Sequence, residues 1–178
     1  MCSSDLYGPH NYNPLESWFF DRVVRDRPLP IPGNGMHLTQ LGHVEDLARA
    51  MVAILGNSRA IGQIYNISGT KAVTFDGLAR ACAEAAGKDP KQIALVHYDP
   101  KAFDFGKAKA FPMRVQHFFT AIHRAEADLD WTPSFDLVSG LKDSFDQDYL
   151  ATGQVEKVID FSLDEQILKA VSPAPPLS

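Results

Sequence analysis

Cysteine is scarce. Cys2 and Cys82 are the two in 178 residues, too few and too widely spaced for a disulfide framework or a metal knuckle. The six histidines show no His-Glu-x-x-His or comparable ligand spacing, so no metal is expected. Positive charge is also short: 17 Lys and Arg face 22 Asp and Glu, for a net charge of −5 and a pI near 5.6. That balance argues against a broad basic surface of the kind that grips nucleic acid, though it leaves room for a local patch. No apolar run approaches the roughly 18 residues of a membrane span, and no secretory leader is visible, so neither a membrane partner nor export is expected. Finally, no Gly-x-Gly-x-x-Gly or Gly-x-x-Gly-x-x-Gly turn and no Tyr-x-x-x-Lys pair occurs. A complete dinucleotide-binding oxidoreductase site therefore cannot come from this chain, and no catalytic residue is assigned.

What is present suits one domain with an ordinary core, because 45% of the residues are hydrophobic. Leu15, Trp18, Phe19, Val23 and Val24 recur at helical spacing, and Pro28, Pro30 and Pro32 then force an extended segment. After the turn at residues 33–35, a strand is expected over 36–41 and a helix carrying Val44, Leu47, Ala48, Met51 and Leu55. A strand follows at 64–67, then a helix capped by Thr74, then a strand at 93–98. Residues 99–116 read as a long loop with one helical turn. Helices are expected at 122–129, from 135 to 149, and from 160 to 170 with Ser162 as cap and Glu165 at the capping-box position. The Pro-rich tail, 172–178, is expected to be disordered. Short strands alternating with helices make the class α/β.

Residues 1–6, Met-Cys-Ser-Ser-Asp-Leu, lack any period, and their wording resembles a translated sequencing-adapter end. They are expected to be a non-native leader before a chain truncated upstream of Tyr7, with an ordinary disordered N-terminus as the alternative. From there the order of features is informative. Tyr7-Gly8-Pro9, the turn-strand-helix run over 33–50, Ile-Tyr-Asn-Ile at 64–67 and Trp131-Thr132-Pro133 before a helix together resemble the extended short-chain dehydrogenases/reductases. Within that superfamily, Tyr-Gly-Pro-His-Asn-Tyr-Asn-Pro at 7–14, Trp-Phe-Phe-Asp-Arg at 18–22, Gln-Leu-Gly-His-Val-Glu-Asp-Leu-Ala at 40–48 and His-Phe-Phe at 117–119 are similar to the chloroplast stem-loop-binding proteins and their cyanobacterial relatives.

The resemblance implies that residues 7–171 form the C-terminal, substrate-binding part of an extended Rossmann-like fold, without its N-terminal dinucleotide-binding half. It implies that Tyr7, Gly8 and Pro9 border the nicotinamide, so that no cofactor is bound by the fragment while NAD(P) belongs to the intact parent. It implies a structured RNA partner, with RNA binding and stabilisation or cleavage by the parent, in chloroplast stroma or cyanobacterial cytoplasm. Asn11, Asn13, Gln40, His43 and Arg114 are the candidate substrate or RNA contacts. For four of them a plain alternative stands: turn geometry for the two asparagines, a hydrogen-bonded structural histidine, a solvated arginine. Lys101, Lys107 and Lys109, interleaved with Phe103, Phe105 and Phe111, suit phosphate contact and base stacking, or core packing by the rings. Sugar-nucleotide epimerases and dehydratases usually carry an Arg-Asp pair where Thr39 and Gln40 stand, and neither residue supplies a cation for a diphosphate. Two other functions remain: the sugar pocket of an NAD(P)-dependent nucleotide-sugar epimerase or dehydratase, and a protein-interaction module without chemistry. Apolar faces left without the missing half predict marginal folding or homo-oligomers.

Overall fold

Proline-rich and glycine-rich breaks divide the chain into short strands and amphipathic helices, and the computed structural model shows how these pair. It describes residues 2–3, 5–13 and 15–171. The tail at 172–178, expected to be disordered, lies outside the described residues, as do residues 1 and 4 of the expected leader.

In chain order the elements are β1 (Cys2–Ser3), β2 (Leu6–Tyr7), α1 (Leu15–Val23), β3 (Leu29–Pro32), β4 (Leu38–Thr39), β5 (Gly42–His43), α2 (Val44–Ile54), β6 (Asn66–Ile67), β7 (Val73–Thr74), α3 (Phe75–Ala85), β8 (Leu95–Tyr98), α4 (His123–Leu129), α5 (Leu137–Ser144) and α6 (Ser162–Val171). The strands form parallel pairs β1 with β6, β2 with β5 and β3 with β8, and one antiparallel pair, β4 with β7. Helices connect the parallel strands, as that geometry requires.

The expected strand at 36–41 shortens to β4, and a second strand, β5, follows just beyond it. Leu38 and Thr39 face β7, whereas Gly42 and His43 face β2, so the chain changes sheet at Gln40 and Leu41. The change is held by the Leu41 carbonyl, which accepts from Gly69 N–H, and by the Gln40 side-chain amide, which donates to the Gly69 carbonyl. The last helix differs at its start: Ser162 is its first residue, with its N–H accepted by Asp160 Oδ1, and Glu165 reaches across to Arg27 instead of closing a capping box. Thr74 does cap α3, accepting from Gly77 N–H. The helix expected over 135–149 is α5 followed by a π-helical turn, Phe145–Leu150, which stacks the Phe145 and Tyr149 rings on each other and sets both edge-on to Phe20.

Two main apolar clusters result, besides a small third one around Tyr98, Ala110 and Ile167. The larger joins α1, α3, α5 and β3 through Phe19, Phe20, Leu29, Ile31, Phe75, Leu78, Cys82 and Leu141. Cys82 is a buried packing residue, and its burial raises the thiol pKa, so it is not a ready nucleophile. The smaller lies between α2, β6 and α4 around Ala50, Tyr65, Ile67, Leu129 and Trp131. Its outer side leaves Met51, Val52, Leu55, Ile61 and Ile64 exposed. Among the described residues no helix is long and apolar enough to cross a membrane.

Candidate functional site

The Tyr-Gly-Pro loop is fixed from below by Glu16 in the first turn of α1. One carboxylate oxygen, Oε1, accepts both the Gly8 N–H at 2.8 Å and the Ser144 hydroxyl of α5 at 2.6 Å. Burial raises the Glu16 pKa, against the lowering effect of those two hydrogen bonds, and Oε2 is buried without a partner. Gly8 has φ of +119°, and a Cβ there would sit 2.8 Å from both His43 Nε2 and a Val44 methyl, so only glycine fits. Tyr7 is buried against α5, where Gly140 leaves room for its ring: any side chain at 140 would overlap the Tyr7 hydroxyl.

His43 is the N-cap of α2. Its Nδ1 accepts the Glu45 N–H, so the neutral ring carries its proton on Nε2. That atom is buried and faces the Asp143 carboxylate on α5, at 3.5 Å, without a hydrogen bond. The ring stacks on Phe135, centroids 3.9 Å apart, and meets Tyr7 edge-on. Burial lowers the His43 pKa, and Asp143, Asp46 and Glu45 oppose that shift. Asp46, in the first turn of α2, holds the Trp-Thr-Pro turn in place. Its carboxylate accepts the Ser134 and Phe135 N–H groups, and its carbonyl accepts the Trp131 indole.

Tyr7, His43, Leu41, Gly69, Lys71 and Phe135 thus surround a cavity of about 140 Å³. Of the residues singled out from sequence, Tyr7, Gly8 and His43 come together here, with Pro9 next in the loop. Gln40 lies behind the cavity, buried, with Oε1 accepting from Thr120 N–H and Nε2 donating to Gly69. Asn11 closes the turn by donating to the Leu6 and Asn13 carbonyls, and Asn13 is exposed. Arg114 is exposed and does not line the cavity. Sequence reading passed over Lys71, Phe135 and Asp143. A lysine in a Gly-Thr-Lys turn looks like any solvated lysine, and Asp143 reaches His43 only through the docking of α5, a hundred residues on.

The chemistry open to this arrangement is modest. It offers one lysine ammonium, the neighbouring Asp136 and an aromatic floor, while the His43 Nε2–H is buried against Asp143. A whole dinucleotide does not fit these residues. The cavity is smaller than the roughly 300–1,000 Å³ usual for cofactor sites, and among the described residues nothing near it provides a glycine-rich phosphate turn.

Comparison with known proteins places this architecture. The model of the NAD dependent epimerase/dehydratase family matches residues 1–68. The chain is 54% identical, over 163 residues, to the chloroplast stem-loop binding protein of 41 kDa b of Arabidopsis thaliana, a match that covers 92% of this chain and 42% of that protein. The chain belongs to the NAD-dependent epimerase/dehydratase family. Within this extended short-chain dehydrogenase/reductase group it is also 28% identical, over 141 residues, to a dTDP-glucose 4,6-dehydratase of Streptomyces griseus, covering 79% of this chain and 39% of the enzyme. The structure of dTDP-glucose 4,6-dehydratase from Bacillus anthracis, in complex with NAD, superimposes with a TM-score of 0.64 at 22% identity, over 85% of this chain and 44% of the enzyme. The chain therefore spans about two-fifths of the length of the relatives it matches.

Proposed function

We propose that the chain is the substrate-side part of a stem-loop-RNA-binding protein built on an epimerase/dehydratase fold, acting in chloroplast stroma or cyanobacterial cytoplasm. The observation that carries this reading is the 54% identity, across 92% of the chain, to a relative whose name describes stem-loop binding, against 28% to a dehydratase. The site supports it. Where a sugar-nucleotide enzyme would need a cation for its diphosphate, Thr39 is buried and Gln40 is engaged with Thr120 and Gly69. Losing a charge-assisted contact of that kind removes about 1.5–3 kcal/mol from diphosphate binding. On this reading dinucleotide binding, where the whole protein has it, depends on residues this chain does not contain.

The test is calorimetric titration of the chain with a hairpin RNA and, separately, with dTDP-glucose. The RNA is expected to bind with an affinity that falls as salt rises, and the sugar nucleotide not to bind. Binding of dTDP-glucose without binding of RNA would instead establish the dehydratase-type pocket as the working site.

A further inference from the structure

The net charge of −5 conceals a segregation. Residues 105–125 carry Lys107, Lys109, Arg114 and Arg124 and contain no Asp or Glu, so all 22 acids lie elsewhere. All four cations are exposed, and among the described residues none makes an ion pair or side-chain hydrogen bond. The other arginines are engaged. Arg22, Arg25, Arg27 and Arg49 face carboxylates, and Arg59 and Arg80 donate to backbone carbonyls. A run of cations that the fold leaves unpaired is complementary to an anionic partner.

The same run contains a fixed edge. Leu38 N–H donates to His117 Nδ1 at 3.1 Å, Phe118 N–H donates to the Leu38 carbonyl at 2.8 Å, and Thr120 N–H donates to Gln40 Oε1 at 2.7 Å. Asn66 Nδ2 donates to the Ala121 carbonyl. Exposure alternates along it, with His117, Phe119 and Ala121 outward and Phe118 and Thr120 half-buried. Phe119 is 64% exposed, an aromatic ring presented to solvent from a hydrogen-bonded backbone. Because His117 Nδ1 accepts from Leu38, the neutral ring keeps its proton on Nε2 as a donor.

We propose that residues 114–121 bind the unpaired nucleotides of an RNA loop. One base stacks on Phe119, phosphates of that nucleotide and its neighbours are met by the His117 Nε2–H and Arg114, and Lys107, Lys109 and Arg124 meet phosphates on either side. The proposal rests on the RNA reading above and specifies where and what that reading recognises. An unpaired base has a free face for a side-chain ring, whereas a paired base has both faces covered by its neighbours. Arg114 and Phe119 are at most about 17 Å apart along the chain, a span of a few extended nucleotides.

The experiment is fluorescence anisotropy of the whole chain with a labelled hairpin RNA and a loopless duplex of the same stem, across a salt series. The hairpin is expected to bind more tightly than the duplex. Phe119→Ala should weaken hairpin binding about tenfold without changing its salt dependence, and Phe119→Trp should retain it. Arg114→Ala should lower the slope of log K against log salt by about one. Both side chains are exposed, so these variants keep the fold. Hairpin binding by Phe119→Ala equal to that of the unmodified chain, or equal binding of hairpin and duplex, overturns the proposal and leaves the RNA reading standing. Absence of binding to either RNA removes that reading, and this site with it. Displacement of the hairpin by poly-glutamate at matched charge would assign the segment to acidic proteins, and would likewise overturn it.

Discussion

The arginines of α1 and its exit differ from those after residue 105 in what the fold asks of them. Arg22 lies buried between α1 and α6, with Nε and Nη2 donating to the two oxygens of Asp164 at 2.8 and 2.7 Å and Nη1 donating to the Trp18 carbonyl. Arg25 gathers the carbonyls of Gln154, Val155 and Lys157, and Arg27 faces Glu165 and the Phe161 ring. These three tie the last quarter of the chain to the first helix. Among the described residues the Arg114 and Arg124 side chains make no ion pair or hydrogen bond. In an acidic protein, cations held by the fold and cations left free are separable by structure, and the second group is the one a ligand can use.

The largest effect should come from breaking the first group. Asp164→Ala leaves the Arg22 guanidinium buried without its carboxylate, a change expected to cost about 3–5 kcal/mol. Burial already lowers the Arg22 pKa, with Asp164 supplying the main compensation. The double change Arg22→Met with Asp164→Leu should recover most of that loss, because a packed apolar pair has no charge to desolvate. Urea melts measure both, and a single-variant cost under about 1 kcal/mol would mean that Ile167 and its apolar neighbours, not the ion pair, hold α6.

A smaller effect concerns His43, which becomes a buried cation when protonated. Burial holds its pKa below the ordinary 6.5, so the folded protein resists a proton that the unfolded chain accepts. The unfolded state then binds more protons below about pH 6.5, and stability falls as pH drops through the window between 6.5 and the lowered folded value. His43→Asn keeps a side-chain acceptor for the Glu45 N–H and cannot titrate. Its stability curve should lack that acid-side component, and identical curves for the two proteins would show that His43 is not the titrating group.

Much of this was readable in the sequence. Helix positions followed from the spacing of Phe19, Leu78 and Leu141, and the Thr74 cap and the loop from residue 99 followed from local chemistry. The family was readable because Tyr7-Gly8-Pro9 and the 40–48 run are wordings tied to one architecture. What local pattern could not supply was partnership at a distance. It could not show that Gln40 joins residues 69 and 120, that Asp143 faces His43, or that Asp164 neutralises Arg22 across 142 positions. The segregated charge after residue 105 was visible as composition. Its meaning depended on learning that every other arginine already has a partner.

The smallest expected effect on the fold is the one that sharpens the contrast most. Replacing both Arg114 and Arg124 by alanine should change stability by no more than about 0.5 kcal/mol, as for surface substitutions away from packing or caps. The same double variant should bind hairpin RNA more weakly and with a shallower salt dependence. Thermal melts beside anisotropy titrations separate the two quantities. If the double variant instead unfolds several degrees lower, the free arginines are structural after all, through contacts with the acidic remainder of the chain, and the distinction between held and free cations fails at its second member.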